Sequence, residues 1–210
     1  MINKSLPLFK ALLAAALTLT TPAIFAQPNH EKMKITPPQP APAFTVNDVH
    51  GNPVNLAGYK GKKIMLTFYR NVGCPVCNLR FHQLQEQADY FKSKGLVMLA
   101  VYESAAGNMK KYIDGESPYA TMIPDPDQRL YQLYKIERST GKMIKGMFHG
   151  AMGKMKKGKK LFKTEIKQDG NGNRISADFL IDENGNVATA YYGKFIGDHL
   201  PITTIRQFLN

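Results

Sequence analysis

The chain carries two cysteines, two residues apart, in Cys74-Pro75-Val76-Cys77. They follow the apolar run Ile64-Met65-Leu66-Thr67-Phe68-Tyr69 and precede apolar residues at helical spacing. A strand, a short turn, a Cys-x-x-Cys and a helix make a thiol reactive. Unpaired N–H groups and the dipole at a helix N-terminus favour a thiolate on the first cysteine. The second lies one turn on, within reach of a disulfide. The spacing points to thiol–disulfide or peroxide chemistry, with both cysteines as catalytic candidates. Arg70, at the strand end, is a third candidate, able to hold a thiolate or a peroxide oxygen through a charge-assisted hydrogen bond. Pro75 stiffens the turn and removes one N–H.

Other titratable residues are weaker candidates. His82 falls five residues after Cys77, off the cysteine face of a helix, and reads as a surface or packing residue. Gly197-Asp198-His199 reads as a structural loop. The five histidines are scattered, with no second Cys-x-x-Cys and no His-x-x-x-His, so no metal is expected. No other cofactor is called for.

The elements that must position the pair follow from periodicity. Ile64 to Tyr69 and Leu96 to Tyr102 read as buried strands. Cys77, Phe81, Leu84, Ala88 and Phe91 form one apolar helical face that ends at Lys92 to Gly95. Ala105 to Asp114 and Gln128 to Tyr134 read as helices, and Tyr119 to Ile123 as a weak strand. Ala177 to Ile181 and Val187 to Tyr192 form a hairpin about Glu183-Asn184-Gly185, and Ile202 to Leu209 a closing helix. Phe44 to Leu56 holds a short strand pair around His50-Gly51-Asn52. The order requires a parallel crossover first and an antiparallel hairpin last. The expected class is therefore α/β, a mixed sheet flanked by helices.

The first 26 residues look like an export signal, with Lys4 and Lys10, an apolar run from Ala11 to Leu19 and Ala26 at a cleavage point. Export to the periplasm or the medium is the expectation. An exported chain with two cysteines does not depend on a disulfide framework. Residues 27–40 are polar and proline-rich and read as a flexible lead-in, and 41–210 as one domain.

The formal charge of the 210 residues is +12. Much of the excess lies in residues 139–164, which hold eight lysines, no acid, five glycines and four methionines. The plain reading is an insertion whose methionines pack on the domain and whose lysines face water. The alternative is an amphipathic segment on an anionic membrane surface, a non-catalytic binding module. Nucleic acid is not an expected partner, since no base-stacking pattern of aromatics accompanies the lysines.

This arrangement resembles the thioredoxin fold. More closely, it is similar to the redoxin (peroxiredoxin-like) family of alkyl hydroperoxide reductases and thiol-specific antioxidants. The residues that carry the likeness are Pro42-Ala43-Phe44-Thr45, Phe68 to Cys77, Ala177 to Asp182 and Tyr192-Gly193. It implies a thioredoxin-like sheet with the basic segment 139–164 inserted before the final hairpin. It also implies a hydroperoxide or protein-disulfide substrate and a thiol reductant as partner. On the peroxiredoxin Pro-x-x-x-Thr/Ser-x-x-Cys pattern, the attacking cysteine matches Cys77, the hydroxyl position is Cys74 and the proline position is Arg70. Arg80 stands where that family has a glutamate. As a dithiol motif, the same four residues make Cys74 the first nucleophile and Cys77 the resolving thiol. Both orders end at a Cys74–Cys77 disulfide.

Overall fold

A computed structural model describes residues 33–164 and 166–210. The export segment expected over 1–26 lies outside the described residues. A six-stranded sheet has the order β1 (Gln39–Pro40), β8 (Asn186–Tyr192), β7 (Ala177–Ile181), β4 (Ile64–Phe68), β5 (Val97–Tyr102), β6 (Thr121–Pro124). β4, β5 and β6 run parallel, and β7, β8 and β1 join antiparallel. β2 (Thr45–Asn47) and β3 (Pro53–Asn55) form a separate small hairpin.

The central strand β4 is buried along its whole length. Because successive side chains face opposite ways, it feeds two cores. Met65 and Tyr69 face one core, with Cys74, Cys77, Phe81, Leu84 and Phe91. Ile64, Leu66 and Phe68 face the other, with Leu130, Tyr131, Tyr134 and Phe179. A strand covered on both faces reads as a continuous apolar run, which is what Ile64 to Tyr69 displays.

The helix after the cysteines is interrupted. It forms α1 (Pro75–Gln85) and α2 (Ala88–Ser93), and the break falls on Glu86-Gln87. There Gln85 accepts the Tyr119 N–H at 2.8 Å, and Gln87 accepts from Arg206. α3 (Ala106–Tyr112) adds Met109 to the cysteine-side core, and α7 (Ile202–Leu209) adds Ile205 and Leu209.

Part of the expected lead-in is tied to the domain. Ile35 is buried, its N–H donates to the Tyr192 hydroxyl at 2.9 Å, and β1 pairs with β8. These bonds hold residues that composition alone marks as loose.

α4 (Arg129–Leu133) is held from outside its own turn. Asp125 accepts the N–H groups of Arg129, Leu130 and Tyr131 at 3.0, 2.8 and 3.3 Å. Asp125→Ala is expected to lower stability by about 0.5–2 kcal/mol, the range for a lost N-terminal cap. Urea unfolding checks this, with Asp125→Asn retaining most of the stability.

The basic segment forms α5 (Thr140–Phe148) and α6 (Ala151–Lys159). Gly150, at φ +78°, turns the chain between them, a conformation that suits glycine. Met143 is half-buried, but the other three methionines do not pack on the domain as expected. Met147, Met152 and Met155 are exposed, together with Ile144 and Phe148. The reason is that the glycines take the inward positions. A Cβ on Gly158 would overlap the Pro75 carbonyl, and one on Gly146 would overlap Ile196.

Candidate active site

The site is built at the end of β4. Tyr69 still donates to Val101 in the neighbouring strand at 2.9 Å, and Glu103 donates to the Arg70 carbonyl at 2.9 Å. The chain then turns, with the Cys74 N–H bonded to the Asn71 carbonyl at 3.1 Å. Cys74 takes the N-cap position of α1 in extended backbone conformation, and Pro75 takes the first helical position. Proline suits that position because its missing N–H would have had no partner.

The Cys77 N–H points back to Cys74 Sγ at 3.3 Å. The thiol thus does for the helix what a serine or aspartate cap does. Cys77 sits in the first turn, and its Sγ accepts the Arg70 N–H at 3.5 Å. Both cysteines are free thiols and both are buried, Cys74 at 0% exposure and Cys77 at 3%.

Their electrostatics separate them. Burial pushes the Cys74 thiol up. A hydrogen bond from the Cys77 thiol, the Arg70 charge and the backbone N–H groups of Cys77 and Val76 more than offset it. Its pKa falls from the ordinary 9.0 to about 7. Burial also pushes Cys77 up, and here the hydrogen bond to Cys74 and the charge on Cys74 add to it, so Cys77 stays protonated. The thiolate therefore forms on Cys74, at the helix terminus, and Cys77 serves as its donor.

A depressed pKa means that the thiolate is present above about pH 7 and is lost as pH falls through that value. The alkylation rate of Cys74 is expected to titrate with a midpoint near 7 rather than near 9. Arg70→Met is expected to move the midpoint upward. Iodoacetamide labelling followed by peptide mass spectrometry across pH checks both.

Arg70 is buried at 9% exposure rather than solvated at a strand end. Its Nη2 donates to Gln168 Oε1 at 3.2 Å, while its Nε has no partner among the described residues. The side-chain amide of Asn71 is fully buried, and neither of its polar atoms is partnered there. Unpaired buried donors and acceptors are rare in folded proteins. Those of Arg70 and Asn71 flank the cysteine turn.

Two pieces of chain close the site. α6 lies across the start of α1, where Gly158 meets Pro75. Asn78 Nδ2 donates to the Gly158 carbonyl at 2.9 Å, and the Tyr112 hydroxyl donates to Asn78 Oδ1 at 2.6 Å. Lys154 Nζ donates to the Gly197 carbonyl at 2.7 Å. From the other side, the backbone of Ile166 and Lys167 rests on Gly73. One turn beyond Cys77, a cavity of about 450 Å³ is lined by Phe81, Tyr112, Ile113, Leu161, Phe162 and Ile166, with polar neighbours including His82.

His199 is placed differently. Its side chain is buried and bonded through Nδ1 to Asp178 Oδ2 at 3.1 Å, and Asp178 also accepts the Leu200 N–H at 2.8 Å. Burial pushes the Asp178 carboxyl up, but His199, Arg80 and the Leu200 N–H hold it below the usual range. A second buried pair joins Arg174 to Glu103, which also receives the Asn171 N–H at 2.5 Å. Neither pair was visible in the cysteine motif. The one signal was Asp178, a charge inside an apolar strand, which is rarely buried without a partner.

Comparison with known proteins agrees with this geometry. A Mycobacterium tuberculosis protein described as a peroxiredoxin is 23% identical over 170 residues, covering 80% of this chain and 91% of its own. The crystal structure of peroxidoxin BcpB from the same organism superposes with a TM-score of 0.57 at 13% identity, over 82% of this chain and 92% of its own. A Chlorobium tepidum protein described as a thiol:disulfide interchange protein, DsbE, superposes at 0.54 with 19% identity, over 81% and 92%. These likenesses bear out the thioredoxin-like fold. The model of the AhpC/TSA family matches residues 37–190, a span that runs from β1 through the cysteine turn into β8. The chain belongs to the AhpC/TSA family and is a thiol-dependent oxidoreductase.

Proposed function

We propose that the protein reduces hydroperoxides, with Cys74 as the attacking thiolate and Cys77 as the resolving thiol. The observation that carries this reading is a favoured thiolate at a residue with no exposed surface. A hydroperoxide of a few heavy atoms reaches such a sulfur after a small opening. A folded protein disulfide requires α6 and the 166–168 segment to leave altogether.

The Cys74 thiolate attacks the terminal peroxide oxygen. The O–O bond breaks, and the alkoxide leaves with its electron pair and takes a proton. Cys74 is then a sulfenic acid. Cys77 loses its proton and attacks that sulfur, an S–S bond forms, and hydroxide leaves as water. A dithiol reductant returns the pair to the starting state. Arg70 stabilises the starting thiolate. The unpartnered Arg70 Nε and Asn71 amide are available to the peroxide oxygens. The cavity beside α1 has an apolar side, made by Phe81, Tyr112, Phe162 and Ile166, that suits the organic part of an alkyl hydroperoxide, and a charged side that includes Lys111 and Glu116.

Disulfide reduction is the second reading, favoured by the same order of cysteines, a low first and a raised second. Side-by-side rates with cumene hydroperoxide and with insulin separate them. Faster oxidation by the hydroperoxide is expected. Insulin reduction without peroxide turnover overturns the first reading.

We also propose export, on the strength of Lys4, Lys10 and the apolar run before Ala26. N-terminal sequencing of protein from the cell envelope is expected to begin at Gln27, or at another residue close after the apolar run. An uncut N-terminus on protein in the cytoplasm contradicts it.

A further inference from the structure

The α5–α6 segment has two faces of different character. Its inner face packs on Ile196 through Gly146 and closes the site through Lys154 and Gly158. Its outer face is apolar and basic at once. On α5, Ile144, Met147 and Phe148 stand at i, i+3 and i+4, a single stripe, and Phe148 is 84% exposed. Met152 and Met155 continue the exposed apolar surface on α6. Lys145, Lys156, Lys157, Lys159 and Lys160 are exposed around these residues and make no ion pair among the described residues.

Clustered exposed apolar side chains mark a contact surface. Charge then selects the occupant. A second copy meeting the same face would set these lysines against the same lysines of its partner, which opposes a symmetric dimer. An anionic lipid bilayer satisfies both features. Phe, Ile and Met side chains enter the boundary between headgroups and acyl chains, and lysines extend their stems to reach lipid phosphates.

We infer that the outer face of α5–α6 docks on an anionic bilayer surface. Because α6 is also the helix that covers Pro75, docking holds the cysteines roughly one helix diameter, about 10 Å, from the headgroups. The inference stands on this surface and does not depend on which substrate the cysteines reduce.

The chain contains no tryptophan, so Phe148→Trp in the full chain places a fluorescent reporter on this face alone. Leu133→Trp, on α4, is the reference, and both proteins carry the same N-terminal residues. With vesicles of equal parts phosphatidylcholine and phosphatidylglycerol at low salt, the emission of the Phe148→Trp protein is expected to shift to the blue. The shift is expected to vanish with pure phosphatidylcholine and to reverse at high salt. Added to Phe148→Trp, Lys156→Gln and Lys157→Gln are each expected to weaken partitioning about fivefold. No shift on anionic vesicles overturns the inference. An equal shift in the Leu133→Trp protein overturns it too, since binding then runs through another part of the chain. A shift of the Phe148→Trp protein with polyglutamate but not with vesicles overturns it as well and assigns the face to an acidic polypeptide.

Discussion

Cys74→Ser is expected to lower the rate of reaction with hydroperoxide by on the order of 10³-fold or more, the scale of losing a catalytic nucleophile. Cys77→Ser is expected to behave differently. It retains the first oxidation and loses the second step, so one equivalent of peroxide is consumed in a burst and steady turnover stops. The asymmetry follows from the site. Cys74 caps α1 and collects the Cys77 N–H, the Cys77 thiol and the Arg70 charge, while Cys77 faces the charge on Cys74. Serine at 77 still offers a hydroxyl donor, so the Cys74 thiolate stays supported. Stopped-flow peroxide consumption, with and without dithiothreitol, checks both variants.

Gly158→Ala is expected to raise the rate at which a bulky maleimide labels the cysteines. Alanine favours a helix over glycine by about 1 kcal/mol, so on an open surface the change stabilises. At 158 the added methyl overlaps the Pro75 carbonyl, a backbone group that cannot rotate away. Overpacking of this kind costs about 1–3 kcal/mol. Placed on the closed state of α6, that cost raises the open fraction about 5- to 150-fold. The Asn78–Gly158 hydrogen bond weakens in the same movement. Gly153→Ala is the control. No atom lies within contact of its added Cβ, and labelling is expected to stay at the parent rate or to fall. Equal labelling of Gly158→Ala and Gly153→Ala contradicts the reading of α6 as the cover.

The sheet was legible because each strand carried its own signal. Ile64 to Tyr69 is a continuous apolar run because both of its faces are covered, and Glu183-Asn184-Gly185 marks a hairpin by turn chemistry. The cysteine turn was legible because the reactive atoms are local in sequence. The cover was not. Gly158 and Pro75 lie 83 positions apart (158 − 75), and a glycine in a lysine-rich segment reads as a weak helix position until its neighbour is known. Met147, Met152 and Met155 face outward, against expectation, for the same reason. Helical spacing says which residues share a face, and only the close approach at Gly146 and Gly158 says which face turns inward. His199 and Asp178 form a pair across 21 positions, and Asp178 alone hinted at it. The order of attack stayed open in sequence because dithiol and peroxiredoxin patterns overlay the same four residues. Burial and the charges around each sulfur separate them.

If Cys74 meets the substrate first, trapping of the sulfenic acid shows it directly. Each single variant, Cys77→Ser and Cys74→Ser, is given one equivalent of hydroperoxide with dimedone present, and the adduct is located by peptide mass spectrometry. The expected result is a sulfenic-acid adduct on Cys74 in Cys77→Ser and little or none on Cys77 in Cys74→Ser. Rapid adduct formation on Cys77 in Cys74→Ser, with Cys74 unlabelled in Cys77→Ser, would contradict first attack by Cys74.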